Sequence, residues 1–500
     1  MWEIYRNGHL VMQRKWHRQF GPVVGYYYGL APVVIVADTE LLKQILLRDF
    51  HKFSDRPPII SGKFIGGLDD SLLFLKGQRW KQVRAILSPA FTAKKLREIS
   101  PVMQTSIDDF IENMDKDFEN SKECELAALF KAMTLDAIGK AGMGLDLNVQ
   151  KDYKNSKVLR AISTILSIEV DIFFVAFASL PALAKLLRHA VCQLWYLWLN
   201  SFESPIGALQ RQSREVVKFR RLNPEKSKRS DLLQLMMDAQ VSVESSTDLT
   251  SLIAGDGAEA AENRRSGSMA KNRNLPSECP ITGKPEGLTD NEVIDNAFLM
   301  LLAGFETTST TLAFLAKMLL RFPEVQERVR EELVEATDGG TAFDFERLQR
   351  CQYTEAFIQE TMRMYTPFFF FTARVANEEV KYGSMTIPKG MNVFSSIEEL
   401  HYDEAVFPEP NKFRPERFLP ENKTPAMAKS WQPFGDGPRN CIGMRFAQME
   451  MKLALAKLLV KYRIYCPDEP KHDARIEVCV LPVLQHPLKH PLKCRLERLS

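Results

Sequence analysis

Thr289 and Glu292 stand three residues apart at the head of an apolar helical pattern that runs from Val293 to about Phe322, where Pro323 stops it. A threonine followed at the third position by glutamate is a capping box, in which each side chain satisfies a backbone N–H that the first helical turn leaves without a partner. At 1.5 Å per residue such a helix is roughly 45–50 Å long, enough to cross the whole molecule. A chain built around it is mainly α. Further helical patterns run from Gln78 to Leu235, over Pro323–Ala336 and Cys351–Tyr365, and from about Ile442 to Tyr462. The β component is small. Val23–Tyr28 and Val33–Val36, separated by Gly29-Leu30-Ala31-Pro32, predict a hairpin, and Asp38 or Thr39 predicts a cap for a short helix through Leu47. Short strands and turns fill 368–425. With β segments at both ends of a helical chain, residues 1–500 are expected to form one large domain.

The composition, 45% apolar and 26% charged, is that of a globular protein with a large core. A net charge of +3, with no arginine-rich stretch interleaved with aromatics, argues against a nucleic-acid partner. Eight scattered cysteines without a Cys-x-x-Cys pair exclude a disulfide scaffold and a zinc ribbon. The longest apolar stretch, Ile172 to Ala184, falls short of the roughly 20 residues a spanning helix needs, so no transmembrane segment is expected. Residues 241–287 are polar and aperiodic, and are expected to be a disordered surface loop.

The segment most informative about chemistry is Phe434-Gly435-Asp436-Gly437-Pro438-Arg439-Asn440-Cys441-Ile442-Gly443. A cysteine in a glycine-rich loop just before a helix has its thiolate stabilised by free backbone N–H groups and the positive helix end. Gly435 and Gly437 let the loop turn tightly, and Gly443 leaves room for a flat macrocycle at the first helical turn.

Phe-x-x-Gly-x-Arg-x-Cys-x-Gly, with Gly435 added, resembles the haem-binding signature of the cytochrome P-450 superfamily. Six fixed positions at about 5% usage each recur by chance on the order of 10⁻⁸ per start site. Other segments agree in order and spacing. Glu360-Thr361-Met362-Arg363 is similar to the superfamily's Glu-x-x-Arg helix, and Pro415-Glu416-Arg417-Phe418 to its downstream partner. Glu360 and Arg363 share one helix face, and Arg417 is expected to complete a buried charge-neutral cluster that holds the cysteine loop.

The resemblance implies a haem-thiolate monooxygenase of that fold, with haem b held through an axial thiolate from Cys441. Such a ligand pushes electron density onto the iron and favours O–O cleavage. Trp80, Arg84, Arg374 and Arg439 are implied as partners of the haem propionates, with Phe434 and Gly443 also at the cofactor. Ala303-Gly304-Phe305-Glu306-Thr307-Thr308 resembles the oxygen-activating segment, giving Thr307 a hydrogen bond to dioxygen and Glu306 a proton relay. A threonine in mid-helix also bonds readily to its own helix carbonyl. Phe298, Leu302, Ala303, Phe305, Phe369 and Phe370, with the loop Ile59–Leu75, are expected to wall an apolar substrate pocket. The phenylalanine run 368–371 also suits plain core packing.

The resemblance covers essentially the whole chain and is strongest to the microsomal branch of steroid and drug oxidisers that also includes thromboxane synthase. It implies NADPH electrons from a reductase, cytochrome b5 as a second donor, and the cytoplasmic face of the endoplasmic reticulum membrane. Arg79, Lys81, Lys94, Lys95, Arg97, Arg445 and Lys452 are expected to form a basic docking face. The apolar residues 172–199 are expected to make peripheral membrane contact. Two alternatives carry less weight: a peroxide isomerase of thromboxane-synthase type, which has no need of the Glu306-Thr307 pair, and a non-catalytic haem binder. The chain departs from the family pattern in its opening residues, which show no anchor helix, in the length of 241–287, and in Glu398-Glu399 ahead of Leu400-His401.

Overall fold

The structure is a computed structural model and describes residues 3–4, 8–28, 31–57, 68–166, 205–223, 231–245, 287–369, 372–472, 475–480, 485–487 and 492–499. The expected membrane segment 172–199 and nearly all of the polar segment 241–287 lie outside these residues, as do Phe370, Phe371 and 59–67. Residues 241–245 are an exception to the loop expectation, since they complete a helix, Leu232–Ser245.

The elements that build the site are, in chain order, α1 (His9–Phe20), the hairpin β1 (Val23–Tyr28) and β2 (Ala31–Val36), α2 (Gly77–Leu87) and α3 (Ala93–Ser121). There follow β3 (Glu123–Glu125), α4 (Leu126–Met143), α5 (Asp290–Arg321), α6 (Pro323–Ala336) and α7 (Gln352–Met364). The chain then runs through β4 (Ala373–Val375), β5 (Asn392–Ser395), α8 (Met444–Lys461), β6 (Tyr462–Tyr465) and β7 (Lys493–Arg498). The protein is 59% helical and one large domain.

α5 is the expected long helix, and its capping box is formed as the sequence predicts: Thr289 Oγ1 accepts from Glu292 N, and Thr289 N donates to Glu292 Oε2 at 2.7 Å. Its most apolar window is long enough to cross a bilayer, but 78% of that window is buried inside the protein, so it is a core helix. α4, α7 and α8 pack around it, and α3 packs on α4 and α8, in the main apolar cluster. The expected hairpin forms, Val23 facing Val36 and Tyr28 facing Ala31, with Ala31 and Pro32 in β2 rather than in the turn. β2 then pairs in parallel with β5, and β5 with β4, so one four-stranded sheet joins the two ends of the chain. Asp38 caps the helix after the hairpin, its Oδ1 accepting from Glu40 N and Leu41 N at 2.9 Å.

The acidic pair 398–399 has a structural explanation. Glu398 forms ion pairs with Arg14 of α1 and, at 2.6 Å, with Arg475, while Glu399 Oε1 lies 3.7 Å from Arg14 Nε. These acids fasten α1 onto the segment that leads to the cysteine loop.

Candidate functional site

The cysteine loop is closed by its own backbone. Cys441 N donates to Phe434 O at 2.8 Å, Gly435 N to Gln432 O at 2.9 Å, and Asn440 N to Gly437 O at 2.9 Å. Gly437 has φ +75°, and a Cβ there would lie 2.3 Å from the carbonyl oxygen of Leu46, so both the turn and the close approach require glycine. Arg84 of α2 grips the loop next to the cysteine, donating to Asn440 O at 3.0 Å and to Asn440 Oδ1 at 2.9 Å. Burial pushes the Cys441 thiol up, while the Gly443 N–H and the cations Arg84 and Arg56 pull it down. Helix α8 begins two residues later than the sequence suggests, at Met444, with Gly443 as its N-cap. That leaves Ile442 and Gly443 in the loop.

Behind the loop stands the expected cluster. Arg363 Nε and Nη2 donate to the two oxygens of Glu360 at 2.7 and 2.9 Å, and Arg417 Nε reaches Glu360 Oε1 at 3.3 Å. Arg363 also donates to His401 O and Pro410 O, both at 2.8 Å. Fully buried guanidiniums are tolerated because nearly every N–H finds an acceptor. The connection to the cysteine loop runs through His401, which sequence reasoning missed. Gln432 N donates to His401 Nε2 at 3.0 Å, and Nδ1 lies 3.0 Å from Arg363 O. A backbone N–H can only donate, so Nε2 is the acceptor and the ring is the neutral Nδ1–H tautomer. Burial and the Arg363 charge hold its pKa down at about 3.

On the other side of the loop lies a group of buried cations. Arg374 and Arg439 are 1% and 2% exposed, and Arg56, which no motif singled out, is 6% exposed. Arg439 donates to Ser54 O at 2.5 Å and Leu75 O at 2.7 Å, and its guanidinium sits 4.1 Å over the ring of Trp80. Trp80 is thus buried beneath a cation. Arg374 donates to Ala373 O at 2.9 Å and Asp436 O at 3.3 Å. Burial, then the charge of its neighbour, lowers Arg374 to about 9 (beside Arg439) and Arg439 to about 8 (beside Arg56). Asp436 is the acid that acts on Arg374, and Asp55, 3.8 Å away, the one that acts on Arg439. Among the described residues, Arg374 Nε and Arg439 Nη1 are buried without an acceptor. Such a cluster calls for a buried dianion, and the two propionates of a haem supply one. Among the described residues no group of three or more His, Cys, Asp or Glu could hold a metal by itself. A single thiolate suits a metal whose other ligands come from a macrocycle. The residues fit haem.

The third part of the site is α5. Leu299, Met300, Gly304 and Thr307 are partly exposed and Ala303 is exposed, an accessible strip in the middle of an otherwise buried helix. Thr307 Oγ1 donates to Ala303 O at 2.5 Å, the helix-carbonyl bond that its type permits. Glu306, 2% exposed, is ion-paired at 2.8 Å with Lys131 of α4, a second residue that no motif singled out.

Other expected site residues lie away from this strip. Phe298 and Phe305 are 0% exposed and belong to the main core. At 100° per residue they lie roughly half a turn from Ala303 and Thr307, so they do not share that strip. Leu302 is also buried in the core, at 7%. Phe369 packs in a separate core with Leu10, Val24, Val33 and Phe394, between α1 and the sheet. Met300 takes the place on the strip that the phenylalanines were expected to fill. Gly304 answers to packing: a Cβ there would lie 2.9 Å from Ile138 Cγ1 of α4. In the expected basic face, Lys452 is buried and paired with Glu355 at 3.0 Å, and Arg79 pairs with the capping-box Glu292. Neither is a free surface charge.

A model of the cytochrome P450 family matches residues 2–254 and 261–493. Among known relatives, cytochrome P450 3A12 of Canis lupus familiaris is 30% identical over 92% of this chain and 82% of its own length. Cytochrome P450 3A31 of Mesocricetus auratus is 29% identical over 90% and 80%, and cytochrome P450 3A30 of Fundulus heteroclitus 28% identical over 92% and 83%. The match spans nearly the whole chain, and the chain belongs to the cytochrome P450 family: it is a haem-thiolate monooxygenase that uses O2 and takes NADPH electrons through a reductase.

Proposed function

We propose that Cys441 is the thiolate ligand of the haem in this enzyme and that Arg84, Arg374 and Arg439, with Arg56 and the Trp80 ring beneath Arg439, hold its propionates. The observation that carries this is the pair of buried guanidiniums beside the cysteine loop, Arg374 and Arg439, each with one buried nitrogen that has no acceptor among the described residues. The bound haem supplies the iron that activates dioxygen, and the thiolate raises electron density there. Gly443 and Phe434 flank the cofactor on the loop side. Glu360, Arg363 and Arg417 fix the loop's position from behind.

The accessible strip of α5 faces the reacting atoms. With its proton given to Ala303 O, Thr307 Oγ1 presents lone pairs as an acceptor. Glu306, held by the half-exposed Lys131, is the relay through which protons from solvent reach Thr307. Ala303, Met300 and Leu299 form an apolar wall, so the substrate is a small apolar molecule. The enzyme works at the cytoplasmic face of the endoplasmic reticulum membrane, with peripheral contact through residues 172–199 and with cytochrome b5 as a second electron donor. Lys81, Lys94 and Arg445, with Lys95 and Arg97, which are paired at the surface with Glu98 and Glu346, are the cations available to an acidic electron-donor surface.

Arg374→Leu and Arg439→Leu test the cofactor assignment. Each variant is expected to retain several-fold less haem per polypeptide after gel filtration, read by Soret absorbance against protein mass. Full haem retention in both would overturn it.

A further inference from the structure

Cys124 and Cys494 face each other in a sheet, Cys466 follows directly on the neighbouring strand, and none of the three belongs to the Cys441 loop. The sheet is three-stranded, in the order β3, β7, β6. Cys124 of β3 and Cys494 of β7 are direct register partners, and their sulfurs stand 3.4 Å apart, buried at 4% and 3% exposure. The rungs two residues to either side exchange backbone bonds: Leu126 N donates to Leu492 O at 3.0 Å and Leu496 N to Lys122 O at 2.9 Å. The cysteine rung is therefore of the hydrogen-bonded kind, with Cα atoms about 5.5 Å apart. That lies within the range a disulfide spans, about 4.4–6.8 Å. On the other side of β7, Arg495 faces Tyr465, so one further step of the same register sets Cys466 opposite Cys494. Cys466 is partly exposed, and its charge is felt at Cys494.

We propose that Cys124 and Cys494 are a modification site, forming a reversible disulfide under peroxide, with Cys466 as the thiol through which oxidation enters. The Cys466 thiolate attacks one peroxide oxygen and breaks the O–O bond, becoming a sulfenic acid and releasing hydroxide. Cys494 displaces the sulfenic oxygen as water, giving a Cys466–Cys494 bond. Cys124 then attacks the Cys494 sulfur, forming Cys124–Cys494 and returning Cys466 as a thiol. In total two thiols lose two electrons and two protons, and one peroxide becomes two waters. A monooxygenase that oxidises NADPH without forming product releases peroxide, so the oxidant arises at the enzyme itself. The new bond would fasten β3 to the C-terminal strand. β3 runs directly into α4, the helix that carries Lys131 and Ile138 against α5.

The test is a thiol map of the holoenzyme after hydrogen peroxide, quenched with N-ethylmaleimide in denaturant and digested without reductant. A cross-linked peptide pair containing Cys124 and Cys494, abolished by dithiothreitol, is the expected result. The readout is peptide mass, so bleaching of the haem does not enter it. Cys466→Ser is expected to slow formation of that pair about tenfold without changing its identity. Cys124 and Cys494 both alkylated after oxidation would overturn the disulfide. An unchanged rate in Cys466→Ser would overturn the entry role of Cys466.

Discussion

Lys131 Nζ stands 2.8 Å from Glu306 Oε1, so the acid next to Thr307 is held by a cation from α4, a helix more than 160 residues earlier in the chain. A buried carboxylate held by one cation loses its fixed position when that cation is removed. Lys131→Met removes it. Product formed per NADPH oxidised is expected to fall several-fold, with Lys131→Arg restoring it. Unchanged coupling in Lys131→Met would show that the proton passes elsewhere.

His401 predicts how stability responds to acid. Its folded pKa of about 3 lies below the ordinary 6.5, so the residue takes up a proton on unfolding. Its contribution is intact above about pH 6.5 and is lost as pH falls from there towards 3, about 5 kcal/mol over the whole window. His401→Gln is expected to lower stability at pH 7 and flatten its fall between pH 6.5 and 4.5, measured by urea denaturation. An equally steep fall would place the titrating group elsewhere.

Gly304 of α5 packs directly against the Ile138 side chain of α4. Gly304→Ala is expected to cost about 1–3 kcal/mol despite alanine's better helix propensity, because the new methyl meets Ile138. In Gly304→Ala with Ile138→Ala the two effects are not additive, with a coupling of about 1 kcal/mol or more from the four denaturation curves. Additive effects would mean the two helices separate freely.

Thr307→Ala is expected to keep NADPH oxidation but divert it to peroxide, with product per NADPH falling several-fold, measured with a confirmed substrate. The hydroxyl is the polar group on an otherwise apolar strip, so its loss leaves the relay through Glu306 without its last acceptor. Unchanged coupling would remove Thr307 from the proton path.

What the sequence made legible is what depends on neighbours along the chain. The Thr289–Glu292 box, the stop at Pro323, the existence of the hairpin and the Glu360–Arg363 pair are local, and all appear in the structure as expected. Arg417 was legible because family spacing marked it. Arg56, Lys131 and His401 were not, since each acquires its meaning from a partner far away: Arg439, Glu306 and Gln432. No period or motif encodes those meetings. Phe298 and Phe305 show the opposite failure, since aromatic character suggested a pocket wall while the helical repeat placed both rings in the core. Residues 398–399 looked out of place until α1 and Arg475 brought their cations to them.

The central claim is that one thiolate, from Cys441, binds the haem iron. The absorption spectrum of the reduced protein with carbon monoxide reads that bond directly. The account predicts the Soret band of thiolate ligation in the wild-type enzyme and in Cys351→Ser and Cys466→Ser, and its loss in Cys441→Ser. A thiolate band that persists in Cys441→Ser would contradict it.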